Sequence, residues 1–295
     1  MRGRCSLCLS TERRGVAVRQ DGLPIQECLS CGLAYVDPRP SSEQLNSYYN
    51  KGYFSGGKDF FRGKDYCLER DKAISRRDVT GYREVVSHFE MKGKAVLDIG
   101  CASGALLCLL RDHGAEEVVG IDTVEYPVSF GRAQYELDLR CTTLEEASLP
   151  DAQFDLITMI DLLEHLEDLN SALTQIRRIL KPAGSVFIIT PNYEAHVLAR
   201  QKWVCLHQDF EHLHYFSEQS LRRICMQMGF SLRKSWTDSI PFRIVNYPAI
   251  RKHNLHRILH PWVALNNAYS RANHVLSSRM HRNAGSTLHA ILSPV

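Results

Sequence analysis

The chain has 295 residues, a formal net charge of only +3 and 44% hydrophobic side chains, which is ample for a large core. Its length suits one large domain with a small additional module. It has no apolar run of the roughly 18 residues that a membrane helix needs. The first residues, MRGRCSLC, lack the apolar segment of a signal peptide, so we expect a cytoplasmic protein whose ten cysteines are metal ligands or core residues.

Four of these cysteines form two pairs near the start of the chain. Cys5 and Cys8 are separated by two residues, as are Cys28 and Cys31, and 19 residues lie between the pairs. This spacing is typical of a zinc site with four thiolate ligands, in which a hairpin brings the second pair to the first. We therefore predict a zinc ribbon over residues 1–40. Because four thiolates close the coordination shell, the metal would be structural. Disulfide pairing is the alternative, and it disagrees with a reducing compartment.

Residues 41–92 are predicted to form a linker and a helical lid. The linker is rich in Pro, Gly, Ser and aromatic residues, and helical spacing follows over about 66–91. Its aromatic side chains could close over a ligand or pack the zinc module onto the main domain. They are Tyr48, Tyr49, Tyr53, Phe54, Phe60 and Phe61.

Residues 93–295 alternate short apolar runs with helical patterns. The predicted strands are 95–100, 118–123, 154–161, 185–190, 231–236 and 287–293. The predicted helices are 103–114, 126–136, 168–181 and 217–228, with a helical insertion at 247–282. This alternation indicates an α/β fold, a doubly wound and mostly parallel sheet.

The first of these strands leads into a glycine turn. Asp98 lies at the end of the strand, and Gly100 and Gly104 allow the backbone to turn sharply and approach a ligand. The next strand ends in Asp122, where a carboxylate can bind two ribose hydroxyls. Proteins that bind nicotinamide dinucleotides have a similar glycine turn and acid, but their G-x-G-x-x-G pattern is absent here. The residues alone do not decide which nucleoside-containing ligand binds.

The segment from Asp98 to Gly104 resembles motif I of class I S-adenosylmethionine-dependent methyltransferases, D-x-G-x-G-x-G, with Ala102 at the middle glycine. The resemblance continues through FDLI, EHL and LKPAG and spans about 90–235. It implies a seven-stranded sheet whose last strand, 287–293, is antiparallel and inserted beside the sixth. It also implies S-adenosylmethionine as cofactor. The implied cofactor-binding residues are Asp98, Gly100, Gly104, Asp122, Leu144, Glu145, Asp161 and Leu162.

The N-terminal segment narrows the resemblance. CxxC…CxxCGLAYVDPRP followed by SYYNKGYFSGG is similar to zinc-binding methyltransferases of bacterial sugar and secondary-metabolite pathways, including longer deoxysugar C-methyltransferases. EHLHYFSEQSLRRICMQMGF resembles ubiquinone-type O-methyltransferases. The expected acceptor is the hydroxyl or carbon of a small or carrier-linked molecule, such as a sugar, glycolipid or secondary-metabolite intermediate. The alternatives are an RNA methyltransferase and a non-catalytic S-adenosylmethionine-binding protein.

Histidines are the candidate bases for a hydroxyl acceptor, because their ordinary pKa lies near neutrality. His165 follows the strand 154–161, and His212 and His214 follow the strand 185–190. Each could instead be a core or helix-capping residue.

The tail from residue 239 onward is basic. It contains seven Arg and Lys and no Asp or Glu: Arg243, Arg251, Lys252, Arg257, Arg271, Arg279 and Arg282. We expect this segment to contact an anionic membrane or a phosphorylated acceptor, or else to pack as a lid or dimer helix. Nucleic acid is not an expected partner, because residues 1–50 are not strongly basic.

Overall fold

The computed structural model describes residues 3–19, 21–41, 43–45, 64–194, 210–238 and 287–295. The strands are β1 (Arg13–Val18), β2 (Pro24–Cys28), β3 (Ala34–Val36), β4 (Ala95–Ile99), β5 (Glu117–Asp122), β6 (Asp138–Cys141), β7 (Phe154–Ile160), β8 (Leu180–Pro191), β9 (His214–Tyr215), β10 (Phe230–Asp238) and β11 (Thr287–Pro294). The helices are α1 (Tyr66–Ser75), α2 (Tyr82–His88), α3 (Ala105–Asp112), α4 (Glu125–Tyr135), α5 (Leu169–Ile179) and α6 (Glu218–Gln227).

Seven strands form the main sheet in the order β10-β11-β8-β7-β4-β5-β6. The five strands from β8 to β6 are parallel to one another. Strand β11 is antiparallel to both β10 and β8. The predicted doubly wound sheet with an inserted antiparallel strand is therefore confirmed.

Apolar residues fill both faces of this sheet. All five residues of β4 are buried, as expected for a central parallel strand covered by helices. Helix α5 buries Leu169, Leu173 and Ile176, which share one helical face, and the Asp168 side chain caps its first turn by accepting from Asn170 and Ser171. These contacts fix the strand ends that carry the candidate site.

Two local predictions differ from the structure. The helix expected over 66–91 is divided into α1 and α2, because Arg77 and Gly81 adopt left-handed backbone conformations between them. Strand β6 was not predicted, since its sequence, DLRC, is short and half polar. It pairs with β5 and completes the sheet.

A second, four-stranded sheet has the order β1-β2-β3-β9. Its first three strands come from the predicted zinc ribbon. The fourth strand, β9, pairs with β3 through Ala34–Tyr215 and Tyr35–His214 and belongs to the chain that follows β8. The N-terminal module thus shares a sheet with the main domain.

Some predicted features lie outside the described residues. These are the aromatic residues between Tyr48 and Phe61, the helical insertion 247–282 and the seven basic residues from Arg243 to Arg282. Their predictions stand as they were made. In the part of the chain that the structure describes, no helix has the length and apolar character required to span a bilayer.

Candidate active site

The turn after β4 brings the first candidate residues together. Asp98 is buried at the carboxyl end of β4, and its Oδ1 accepts a 2.6 Å hydrogen bond from Thr158 Oγ1 on the neighbouring β7. Burial raises the pKa of Asp98 to about 7, opposed by the Thr158 hydrogen bond and assisted by the charge of Asp122. A positively charged group nearby would stabilise the ionised form of this carboxyl.

Three alternate residues of the turn have positive φ angles: Gly100 at 77°, Ala102 at 47° and Gly104 at 72°. These are the three positions at which the methyltransferase motif carries glycine, so the pattern follows from backbone geometry. A Cβ on Gly100 would also meet Leu162 Cδ1 at 3.0 Å. Ala102 is the one departure from the glycine motif, and it adopts a left-handed conformation that residues other than glycine rarely occupy.

Asp122 at the end of β5 holds the turn from the other side. Its carboxylate accepts hydrogen bonds from the backbone N–H of Ala102 at 2.9 Å and from that of Val124 at 3.0 Å. Burial raises the pKa of Asp122 against these two hydrogen bonds. In the same turn, Ser103 is 1% exposed, and its Oγ has no hydrogen-bond partner among the described residues. A buried hydroxyl in this state fits a site that receives a polar ligand.

Asp161 and Leu162 follow β7 directly. Asp161 has a φ of 49°, and its side chain is accessible to solvent. Surrounding protein nevertheless raises its pKa to about 6, with the Arg70 charge opposing the shift. Leu162 packs against Gly100.

The loop after β6 carries the two residues expected near an adenine. Leu144 is partly buried against the core, and Glu145 is exposed and accepts a 3.3 Å hydrogen bond from Ser171 Oγ on α5. The structure thus places Asp98, Asp122 and Asp161 at the carboxyl ends of three neighbouring parallel strands. In open α/β sheets this edge is where ligands bind. The binding roles of all eight predicted residues stay predictions.

Two of the three candidate bases lie together, beside an acid that the sequence analysis did not select. Glu164 is 1% exposed, and its Oε2 accepts a 2.8 Å hydrogen bond from Thr190 Oγ1. Its Oε1 lies 3.7 Å from His165 Nε2 and 4.0 Å from His212 Nε2. The two imidazole rings meet edge to face with centroids 4.8 Å apart. We name these three residues the Glu–His–His cluster.

His214 does not belong to this group. It is fully buried in β9, where its Nε2 is 2.9 Å from Ser6 Oγ and 3.1 Å from a guanidinium nitrogen of Arg39. Burial, with a contribution from the Arg39 charge, lowers the pKa of His214 to about 3. Since Arg39 donates to Nε2, this lone pair is occupied. His214 therefore connects the N-terminal module to the main domain, and its role as a base stays a prediction.

The four paired cysteines converge in the N-terminal module. Their sulfur atoms all lie within 4.8 Å of one another, with Cys5 and Cys31 3.5 Å apart and Cys8 and Cys28 3.4 Å apart. No disulfide joins them. This donor set fits a tetrahedral zinc ion with no position left for a substrate.

Comparisons with known proteins agree with this geometry. A family model described as a methyltransferase domain matches residues 75–235. The ubiquinone biosynthesis O-methyltransferase of Stutzerimonas stutzeri is 38% identical over 112 residues, which are 36% of this chain and 47% of that protein. A probable S-adenosylmethionine-dependent methyltransferase of Mycolicibacterium smegmatis is 37% identical over 101 residues, 34% of this chain and 39% of that protein. The chain thus spans about half the length, or less, of these relatives.

Solved structures support the same fold. The S-adenosylmethionine-dependent methyltransferase of Archaeoglobus fulgidus has a TM-score of 0.51 and 20% identity, covering 86% of this chain and 100% of that one. An S-adenosylmethionine-dependent methyltransferase of Mesorhizobium loti has a TM-score of 0.51 and 15% identity, and the match covers 73% of this chain and 98% of that one. The family match extends over more than half of the sequence and contains the five parallel strands of the main sheet and its left-handed turn. The chain therefore belongs to the class I S-adenosylmethionine-dependent methyltransferases.

Proposed function

We propose that this chain transfers a methyl group from S-adenosylmethionine to a hydroxyl of a small or carrier-linked molecule. The observation that carries the proposal is the arrangement of Asp98, Asp122 and Asp161 around the left-handed turn at residues 100–104. Glu164 and His165 of the Glu–His–His cluster follow β7, the strand after which Asp161 also lies, and the cluster supplies groups that can receive a proton.

The residues around the turn fit the cofactor. Asp122 would hold the ribose hydroxyls, Asp98 with Gly100 would face the methionine part, and Leu144 with Glu145 would lie near the adenine. Gly104, Asp161 and Leu162 would complete the site. Ser103 Oγ, which is buried without a partner among the described residues, offers a further polar contact. When bound, S-adenosylmethionine supplies a methyl group on a positively charged sulfur.

The protein's task is then to bind the acceptor, exclude water and receive the hydroxyl proton. His165 and His212 are the proposed recipients, since an imidazole lone pair can take that proton as the oxygen forms its new bond. Glu164 would orient the two rings and favour the protonated one. A carbon acceptor needs a different alignment, and an O-methyltransferase is the better supported reading because several relatives carry that description.

The acceptor is proposed by chemical class. A hydroxyl on a lipid-linked or otherwise carried molecule agrees with the ubiquinone-type relatives. The N-terminal resemblance favours a sugar, glycolipid or secondary-metabolite intermediate. The basic segment 239–286 is proposed to attract a phosphate-bearing acceptor or an anionic membrane surface. A cytoplasmic location and RNA as a non-substrate remain predictions.

We also propose that Cys5, Cys8, Cys28 and Cys31 bind one structural zinc ion. The converging sulfurs and the absence of a disulfide among them support this assignment. The ion would stabilise a short segment that has little apolar surface of its own to bury.

The test is methyl transfer itself. Purified protein with methyl-labelled S-adenosylmethionine is incubated with separate pools of hydroxylated lipids, sugar derivatives and RNA. We expect label in a hydroxylated small-molecule or lipid pool, reduced in His165→Asn and His212→Asn and retained in His88→Asn, which alters an exposed imidazole stacked on Trp236. Label in RNA would favour the RNA alternative. Binding of the cofactor with no transfer to any pool would favour a non-catalytic protein.

A further inference from the structure

The Glu–His–His cluster has a geometry that proton transfer alone does not explain. Glu164, His165 and His212 each present one metal-ligating atom, and these atoms lie within 4.8 Å of one another. Glu164 and His212 are buried, and the His165 side chain is 14% exposed. Two imidazoles and one carboxylate form a donor set that first-row transition metals commonly use.

The spacing of the three atoms leaves room for an ion between them. The Glu164 oxygen is 3.7 Å from His165 Nε2 and 4.0 Å from His212 Nε2, and both separations exceed hydrogen-bonding distance. Three atoms within 4.8 Å of one another, two of the separations being 3.7 and 4.0 Å, have a common centre ~2.1–2.5 Å from each, close to the ~2.0–2.2 Å bonds that imidazole nitrogens and carboxylate oxygens form with zinc. A small inward movement would complete three coordination bonds.

The surrounding contacts hold these atoms in place. Thr190 Oγ1 donates to Glu164 Oε2 and so leaves Oε1 on the side of the imidazoles. The Leu213 N–H donates a 2.8 Å hydrogen bond to the Glu164 carbonyl. This bond holds the segment that carries His212 against the turn that carries His165. Hydrogen-bonded ligating carboxylates and fixed ligand backbones are characteristic of metal sites.

We propose that Glu164, His165 and His212 bind one divalent transition-metal cation. Because two of the three donors are nitrogens, the site favours such an ion over Mg²⁺ or Ca²⁺. Three protein ligands leave coordination positions for an acceptor oxygen. A hydroxyl bound there would lose its proton to solvent more readily, and His165 and His212 would take that proton directly only while no ion is bound. This role rests on the proposed function, whereas the binding of the cation does not.

Manganese tests the site because Mn²⁺ prefers nitrogen and oxygen donors and gives a spectroscopic signal, while the four cysteines prefer zinc. The full chain, with zinc already bound, is titrated with Mn²⁺, and free Mn²⁺ is followed by electron paramagnetic resonance. We expect about one bound Mn²⁺ per chain with imidazole nitrogen coupling in pulsed spectra. Glu164→Gln and His212→Asn should weaken binding at least about tenfold. His88→Asn should bind like the wild type.

The nitrogen coupling is measured on the wild-type protein, so the test does not depend on the folding of any variant. S-adenosylmethionine binding, measured by calorimetry on the same samples, tests the proposed function separately. Absence of Mn²⁺ binding, absence of nitrogen coupling in bound Mn²⁺, or undiminished binding in folded His212→Asn protein would each overturn the metal site. Any of these results leaves the cofactor assignment intact.

Discussion

The guanidinium of Arg19 donates a 2.7 Å hydrogen bond to the backbone carbonyl of His212. Arg19 comes from the N-terminal hairpin and is 3% exposed, and a second nitrogen of its guanidinium donates to the Phe210 carbonyl at 2.9 Å. Asp21 accepts from the remaining side of the guanidinium. The hairpin that the zinc module builds is therefore a support for the loop that carries His212.

Replacing Arg19 with Met should disturb this loop while sparing the cofactor site. Two carbonyls and Asp21 would lose their donors, and hydrogen bonds to charged groups contribute ~1.5–3 kcal/mol each before relaxation. We expect lower stability in urea, a raised KM for the acceptor and an unchanged affinity for S-adenosylmethionine.

Arg14→Met is the matched control in the same hairpin. Arg14 pairs with Glu27 at 3.0 Å, but its side chain is 64% exposed, and exposed pairs of this kind contribute ~0–1 kcal/mol. An Arg19→Met protein that behaved like Arg14→Met in both stability and acceptor KM would remove the argument for this support.

Ala102→Gly tests the backbone explanation of the motif. Ala102 has a φ of 47°, and a left-handed conformation costs an L residue ~1–2 kcal/mol. Glycine removes this cost but adds flexibility to the unfolded chain, worth ~0.4–1 kcal/mol. We expect the free energy of unfolding to rise by up to ~1 kcal/mol, with cofactor affinity retained.

The comparison is Ala105→Gly, three residues later in α3. Ala105 is the first residue of α3 and has ordinary helical geometry, so glycine there relieves no strain and adds flexibility to the unfolded chain, worth ~0.4–1 kcal/mol. Denaturant titrations should therefore move in opposite directions for the two variants. Equal destabilisation by both would show that the left-handed strain at Ala102 has no energetic weight.

Much of the fold could be predicted because the central strands are buried on both faces and their sequences are mostly apolar, as in β4 and β7. Strand β6 could not be predicted, because its DLRC sequence is short and half polar and the strand lies at the edge of the sheet. The β3–β9 pairing was also out of reach. It joins residues about 180 positions apart, and no local pattern encodes such a contact.

The candidate site was predictable in part for the same reason. Asp98 and Asp122 end strands, and parallel strands bring their ends to one edge. Glu164 was missed although EHL was recognised, because only the fold shows that it is buried against Thr190 and His212. His214 was selected for its residue type. Its contacts with Ser6 and Arg39 join residues 208 and 175 positions apart, so no local sequence pattern indicates them.

The pKa of Asp98 predicts a pH dependence of stability. Its folded value of about 7 lies above its ordinary value of 3.8, so the folded protein holds the proton more tightly than the unfolded chain. As pH rises from about 4 to about 7, the unfolded state ionises first, and this group's contribution falls by a few kcal/mol at most. Below pH 4 and above pH 7 its contribution is constant.

Asp98→Asn keeps a side chain that can accept from Thr158 and does not titrate. The difference in unfolding free energy between wild type and Asp98→Asn, measured in urea from pH 4 to pH 8, isolates this group. We expect the wild type to lose stability relative to the variant as pH rises. A difference that stays constant over this range would contradict a raised pKa.

Removal of the proposed zinc ion should affect β9 as well as the cysteines. Cys28→Ser should lower the zinc content from one ion per chain, whereas Cys141→Ser, at a cysteine outside the cluster, should retain it. Because β9 pairs with β3, we expect faster hydrogen exchange at the His214 and Tyr215 amides in Cys28→Ser. The amides of β4 should stay protected. Wild-type protein with four free thiols and no metal under zinc-replete conditions would refute the zinc assignment.

Calorimetric binding of S-adenosylmethionine tests the central claim most directly. The wild-type protein should bind S-adenosylmethionine and not NAD. Asp122→Asn should weaken that binding by ~1.5–3 kcal/mol, the scale of hydrogen bonds to a carboxylate. Asp138→Asn should leave the binding of S-adenosylmethionine unchanged. It alters an exposed acid of β6, the strand next to β5, that pairs with Arg140 of the same strand. Tight binding of NAD, with none of S-adenosylmethionine, would contradict the account.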